Sequence, residues 1–186
     1  MHRRAIDVQV FAREDGRFDV QARLIDNKPR DVVVGGIHRP AGASLHEMVL
    51  GLVVDAELNI HAAGSETLAM PYPGQCEEHG DAYAQLVGLN LMRGFRGAVK
   101  ERLASTRGCT HLTELCGVLP TAVVQALAGE VIAINEGAAD AAADAAPPFQ
   151  LDRCHALRSD GPVVQVHYPR WYRPAAKAEA VPPSAS

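Results

Sequence analysis

The chain has 186 residues, 47% of them hydrophobic, and a formal net charge of -4, enough apolar material for one domain with room for an appendage. The acidic balance argues against a nucleic-acid partner, whose binders carry a basic stripe. No apolar run reaches membrane-spanning length and Met1 to Asp7 lacks a signal-peptide core, so a soluble, cytoplasmic protein without a membrane partner is expected.

Along the chain, Ile6, Val8 and Val10 alternate on one face, Asp15-Gly16 makes a turn, and Phe18, Val20, Ala22 and Leu24 return on the matching face. This predicts a β-hairpin. Pro29 and Gly35-Gly36 limit any strand through Val32 to Val34 to a short edge element. A strand over about 45–55 turns through Ala56 to Asn59 and returns over about 58–68 as a second hairpin. Asp26, Lys28 and Asp31 read as turn residues.

Met70-Pro71-Tyr72-Pro73-Gly74 breaks regular structure, and the apolar period then becomes helical. Tyr83, Leu86, Val87 and Leu91 predict a helix after the acidic Glu77, Glu78 and Asp81, and Gly94 separates it from a second helix over about 95–105. A third helix begins at His111, and Pro120 either kinks it or opens a fourth reaching about Ile134. Strands first and helices second give an α+β fold, a sheet of antiparallel hairpins with three to four helices on one face. The domain is expected over 1–136, followed by an Ala/Pro-rich linker over 137–148. A segment over 149–173 rich in contact residues would dock back or on a partner, a second copy included, and a disordered tail covers 174–186.

Chemistry concentrates in Gly108-Cys109-Thr110-His111-Leu112, at the predicted start of a helix, and in Gly74-Gln75-Cys76. With no signal peptide, the four cysteines are expected as free thiols, ligands or packing groups rather than disulfides. Zinc and ferrous iron accept thiolate and imidazole ligands, and Cys76, Cys109 and His111 supply three. Packing of both thiols in the core is an equal reading, since free cysteine is among the most buried residue types. A nucleophilic Cys109 with His111 or His79 as base is a third. Two residues apart on a regular helix, Cys109 and His111 point to different sides, so direct pairing requires an irregular first turn. Arg3, Arg4, Arg13 and Arg93 are candidates to orient a substrate carboxylate, and Tyr72 and Tyr83 to line its pocket.

Arg13-Glu14-Asp15-Gly16, His46-Glu47-Met48, Cys76, Gly108-Cys109-Thr110-His111-Leu112-Thr113-Glu114-Leu115 and Tyr168-Pro169-Arg170-Trp171 together resemble an uncharacterised bacterial family described only as a domain of unknown function. More distantly, the order of elements over about 42–134 resembles the iron–sulfur scaffold proteins of the NifU and IscU type. The hairpin Val53 to Thr67, the Cys76 loop, the Gly94 hinge and Cys109-Thr110-His111 stand where those proteins have a hairpin, a cysteine loop, a glycine hinge and a His-Cys pair. That resemblance implies a NifU/IscU-like core and adds His46 as a fourth ligand. With two cysteines instead of three thiolates, a single zinc or iron ion is favoured over a cluster. The expected function is a mononuclear metal-binding protein, extending to a metal-dependent enzyme for a small carboxylated metabolite. The alternatives are a non-enzymatic iron or iron–sulfur carrier and a cofactor-independent enzyme of aromatic-compound catabolism.

Overall fold

A computed structural model describes residues 1–132, 134 and 146–174. The chain divides into two compact units, Met1–Ile132 and Ala133–Ser186. In the first, strands β1 (Arg3–Ala12), β2 (Phe18–Asn27), β5 (Ser44–Val54) and β6 (Ile60–Ala69) form an antiparallel sheet in the order β1-β2-β5-β6. The two predicted hairpins are present and join through β2 and β5. Between them β3 (Val32–Val34) and β4 (Ile37–Arg39) make a separate two-stranded ribbon.

Alternation decides which face of the sheet is covered. Val20, Ala22 and Leu24 of β2 and Met48, Leu50, Leu52 and Val54 of β5 are buried on one face. Against β1, β2 and β5 lies helix α2 (Thr110–Leu127), which buries Leu112, Leu115, Cys116, Leu119, Val123 and Leu127 at helical spacing. Helix α1 (Phe95–Leu103) packs on α2 with Phe95, Val99 and Leu103. The result is the α+β arrangement expected from the order of elements.

Three helix predictions change. The segment after Cys76 is not a long α-helix but a run of turns leading to a 3-10 helix, Gly80–Leu86. Gly88, at φ +81°, turns the chain there. The Gly88 N–H then donates to the Ile60 carbonyl and the Leu89 carbonyl accepts from Ile60, so the chain pairs with the second hairpin instead of continuing as a helix. α1 stops at Leu103 and is followed by a 3-10 turn, Ser105–Arg107. Pro120 opens no fourth helix: α2 runs through it and ends at Leu127 instead of near 134. Pro120 is buried, and tertiary packing of the helix offsets the backbone bond that proline removes.

In the second unit, helix α3 (Pro162–His167) opens on proline, and Val164, Leu151 and Tyr168 form a small core flanked by Leu157, Trp171 and Tyr172. Cys154 is exposed. Of the predicted linker only 146–148 lies within the described residues, and the predicted tail lies outside them apart from Pro174.

Candidate metal centre

The covered face of the sheet is apolar along most of its length and changes character at one end. On β2 the inward stripe Val20, Ala22, Leu24 continues to Asp26; on β1, Val10, Val8 and Ile6 lead to Arg4; on β5, Leu50 and Met48 lead back to His46. The register places these three in one row, Arg4 opposite Asp26 and Asp26 opposite His46. A bulge follows between Asp26 and Asn27, the kind of irregularity that re-aims side chains beside functional sites. The start of α2 brings His111 and Glu114 to the same row.

Asp26 is the buried charged residue of the unit among those described, with its side chain 3% exposed. Its Oδ1 accepts from Arg4 Nε at 2.8 Å and lies 3.0 Å from His2 Nε2, while Oδ2 accepts from Arg4 Nη2 at 2.7 Å. Arg4 spans onward to Glu114. Around Oδ2 two more nitrogens gather, His46 Nδ1 at 3.3 Å and His111 Nε2 at 3.6 Å. Neither contact has good hydrogen-bond geometry, and the buried His46 Nδ1 has Asp26 Oδ2 as its nearby polar neighbour. The two imidazoles stack with centroids 3.9 Å apart and planes inclined by 28°. One ligand atom from each of Asp26, His46 and His111 falls within 4.8 Å of the other two.

Electrostatics set the protonation states. Burial pushes the Asp26 carboxyl up, but the hydrogen-bonded Arg4 guanidinium, helped by His2 and His111, brings it below its ordinary value, so it is a carboxylate. Burial, then the positive charge of the neighbouring imidazole, lowers His46 against the pull of Asp26. Burial and then Arg4 lower His111. Both imidazoles therefore give up a proton more readily than a free histidine, beside an anionic oxygen. With Asp26 and Glu114 negative and Arg4 positive, the group carries a net charge of about -1, which attracts a cation.

The residues 108–113 are held here by Tyr83. Its hydroxyl donates to the Cys109 carbonyl at 2.8 Å, accepts from the Cys109 N–H at 3.1 Å and lies 2.9 Å from Thr113 Oγ1. A Cβ on Gly108 would meet the Leu103 carbonyl oxygen at 2.9 Å and the Tyr83 hydroxyl at 3.1 Å, so the close approach requires glycine. Cys109 is the N-cap of α2 with extended backbone, φ -85° and ψ 131°. As an N-cap it lies outside the regular helix, and its Sγ lies 3.8 Å from His111 Nδ1 and 3.6 Å from Met48 Sδ.

Of the four ligands expected from sequence, His46 and His111 therefore meet, and Cys109 lies against the far nitrogen of His111. Cys76 is half-buried in the turn after Tyr72 and outside the group. His79, the alternative base, stands edge-on to the Tyr83 ring. Tyr83, expected to line a substrate pocket, is fully buried and bonds to the start of α2. Arg4 belongs to the site, whereas Arg13 pairs with Asp15 and Asp19 at the far end of the first hairpin. Arg3 and Arg93 are exposed, as is Tyr72 on its proline loop. Asp26, expected at a turn, lies within β2. Its signal was the period-2 stripe, which carries one step past Leu24 onto an acidic side chain.

The family described as Protein of unknown function (DUF2889) matches residues 2–125. The chain belongs to this family. The matched span of the DUF2889 domain holds every residue of the cluster, from His2 to Glu114, and excludes the second unit. No curated protein and no solved structure matches the chain. No helix among the described residues is long and apolar enough to cross a membrane.

Proposed function

We propose that this DUF2889 protein binds a single divalent ion, zinc or iron, through Asp26, His46 and His111. The observation that carries this reading is the convergence at Asp26 Oδ2: two imidazole nitrogens, at 3.3 and 3.6 Å, approach the oxygen without good hydrogen-bond geometry. Atoms bound at about 2.0–2.2 Å to one tetrahedral zinc ion stand roughly 3.3–3.6 Å from each other, so the spacing suits a shared cation. Arg4 and His2 occupy Oδ1, and Arg4 takes only one side of Oδ2, which leaves a lone pair for the ion. The ligand set is harder than the thiolate-rich one expected from sequence. Two histidines and a carboxylate suit a catalytic zinc or a non-haem iron with open positions.

With such positions free, the ion would act as a Lewis acid or activate water on a small carboxylated metabolite. The test is the metal content of protein purified without chelator and then reloaded, compared with His46→Gln and His111→Gln. About one zinc or iron ion per chain, lost in both variants, is expected. Sub-stoichiometric metal that both variants retain refutes the reading.

A further inference from the structure

His111 uses only one of its nitrogens toward Asp26, and the other has a defined partner. Nδ1 lies 3.8 Å from Cys109 Sγ, and that sulfur lies 3.6 Å from Met48 Sδ. A thioether can only accept, so on the contact with Met48 the Cys109 thiol is the donor, and the sulfur lone pairs are then left for an N–H from His111. In that polarity Nδ1 carries the proton and Nε2 does not.

We propose that Cys109 is a positioning residue for His111. Its sulfur accepts the Nδ1–H, sends its own proton toward Met48 Sδ, and presents Nε2 as the bare nitrogen beside Asp26. This rests on the metal reading only for its consequence, since the tautomer is a property of the metal-free protein. The opposite polarity, with the thiol donating to Nδ1, would put a proton on Nε2 and aim it at Asp26, blocking the lone pair that a ligand needs. The site therefore uses the most conspicuous thiol of the sequence as a support for a ligand rather than as a ligand. The Tyr83 hydroxyl fixes the backbone of Cys109.

The experiment is nitrogen NMR of the histidine rings in the metal-free full chain, with the His111 signals assigned by His111→Gln, followed by Co(II) titration. The expected result is an Nδ1–H tautomer for His111 in the unmodified protein and a tautomer mixture in Cys109→Ala. Co(II) affinity should fall about tenfold in that variant, the low end of what losing an outer partner of a metal-bound histidine produces, with no sulfur-to-cobalt charge-transfer band at any stage. Met48→Leu, which keeps the thiol but removes its acceptor, should move the tautomer in the same direction and serves if Cys109→Ala does not fold. An Nε2–H tautomer in the unmodified protein overturns the proposal, as does an unchanged tautomer in both variants or a charge-transfer band showing Cys109 on the metal. If cobalt fails to bind while the tautomer behaves as expected, the metal reading falls and the positioning role stands.

Discussion

Tyr83→Phe removes one oxygen atom and leaves the ring, so its effect isolates the hydrogen bonds at the start of α2. The side chain is fully buried, and phenylalanine fills the same space without a cavity. The Cys109 carbonyl keeps a second donor, the Thr113 N–H at 2.9 Å, but the Cys109 N–H loses its acceptor and the Thr113 hydroxyl loses its partner. A buried donor left unsatisfied costs about 1–3 kcal/mol, and the N-cap side chain makes no hydrogen bond to replace it. At roughly 1–3 kcal/mol per molar urea, the unfolding midpoint should fall by on the order of 1 M. Urea unfolding followed by circular dichroism at neutral pH measures it. The pH dependence gives a second readout. Burial, opposed by the Thr113 hydrogen bond, pushes the Tyr83 phenol up to about 12 from 10.0, so it contributes stability that is complete below about pH 10 and lost as pH rises through 12. Tyr83→Phe should lack that alkaline decline. An unchanged midpoint with the decline intact would refute the account of how the first turn is held.

Asp26→Asn should abolish metal binding and lower stability by about 1–3 kcal/mol, below the usual loss for a broken buried pair because Arg4 remains about one-third exposed; metal analysis and urea unfolding check it. Gly64→Ala should raise stability by about 0.4–1 kcal/mol, because an added Cβ on β6 meets nothing within 4 Å and the backbone is ordinary extended strand; a lower thermal midpoint would contradict this. At Asp55 burial is outweighed by hydrogen bonds from the His61 ring and from the Asn59 backbone and side chain, which bring the carboxyl down to about 2 from 3.8. Its contribution, about 1–2 kcal/mol after allowance for solvent screening, is present above about pH 4 and lost as pH falls through 2, so the acid limb of a stability–pH curve should flatten in Asp55→Asn.

The two hairpins were legible because alternation and turn residues are local, and so was the order of strands before helices. The helix after Cys76 was misjudged because Tyr83 and Leu86 have helical spacing, yet the backbone beyond them finds a stronger partner in Ile60. Tertiary pairing of that kind leaves no mark on periodicity. Of the two outcomes proline allows there, a kink or a new helix, the second is absent, because burial of its neighbours keeps α2 one element through a residue that breaks exposed helices.

The site shows the same division between local and non-local information. Cys109-Thr110-His111 drew attention as two reactive groups close in sequence, and His111 is indeed central. Asp26 had to be passed over by local reasoning, since an acidic residue one step before Asn27-Lys28-Pro29 has the composition of a turn. Its role depends on register: β1 and β5 flank β2 so that Arg4 and His46 stand on either side of it. A carboxylate in that row would be a poor choice for a core, because burying it opposes its charge and three nitrogen-bearing neighbours are needed to hold it. Leucine would continue the stripe at no such penalty. The one position that departs from the apolar pattern lies in the row where His46 and His111 approach the Asp26 carboxylate, and this is the departure on which the proposed cation site rests.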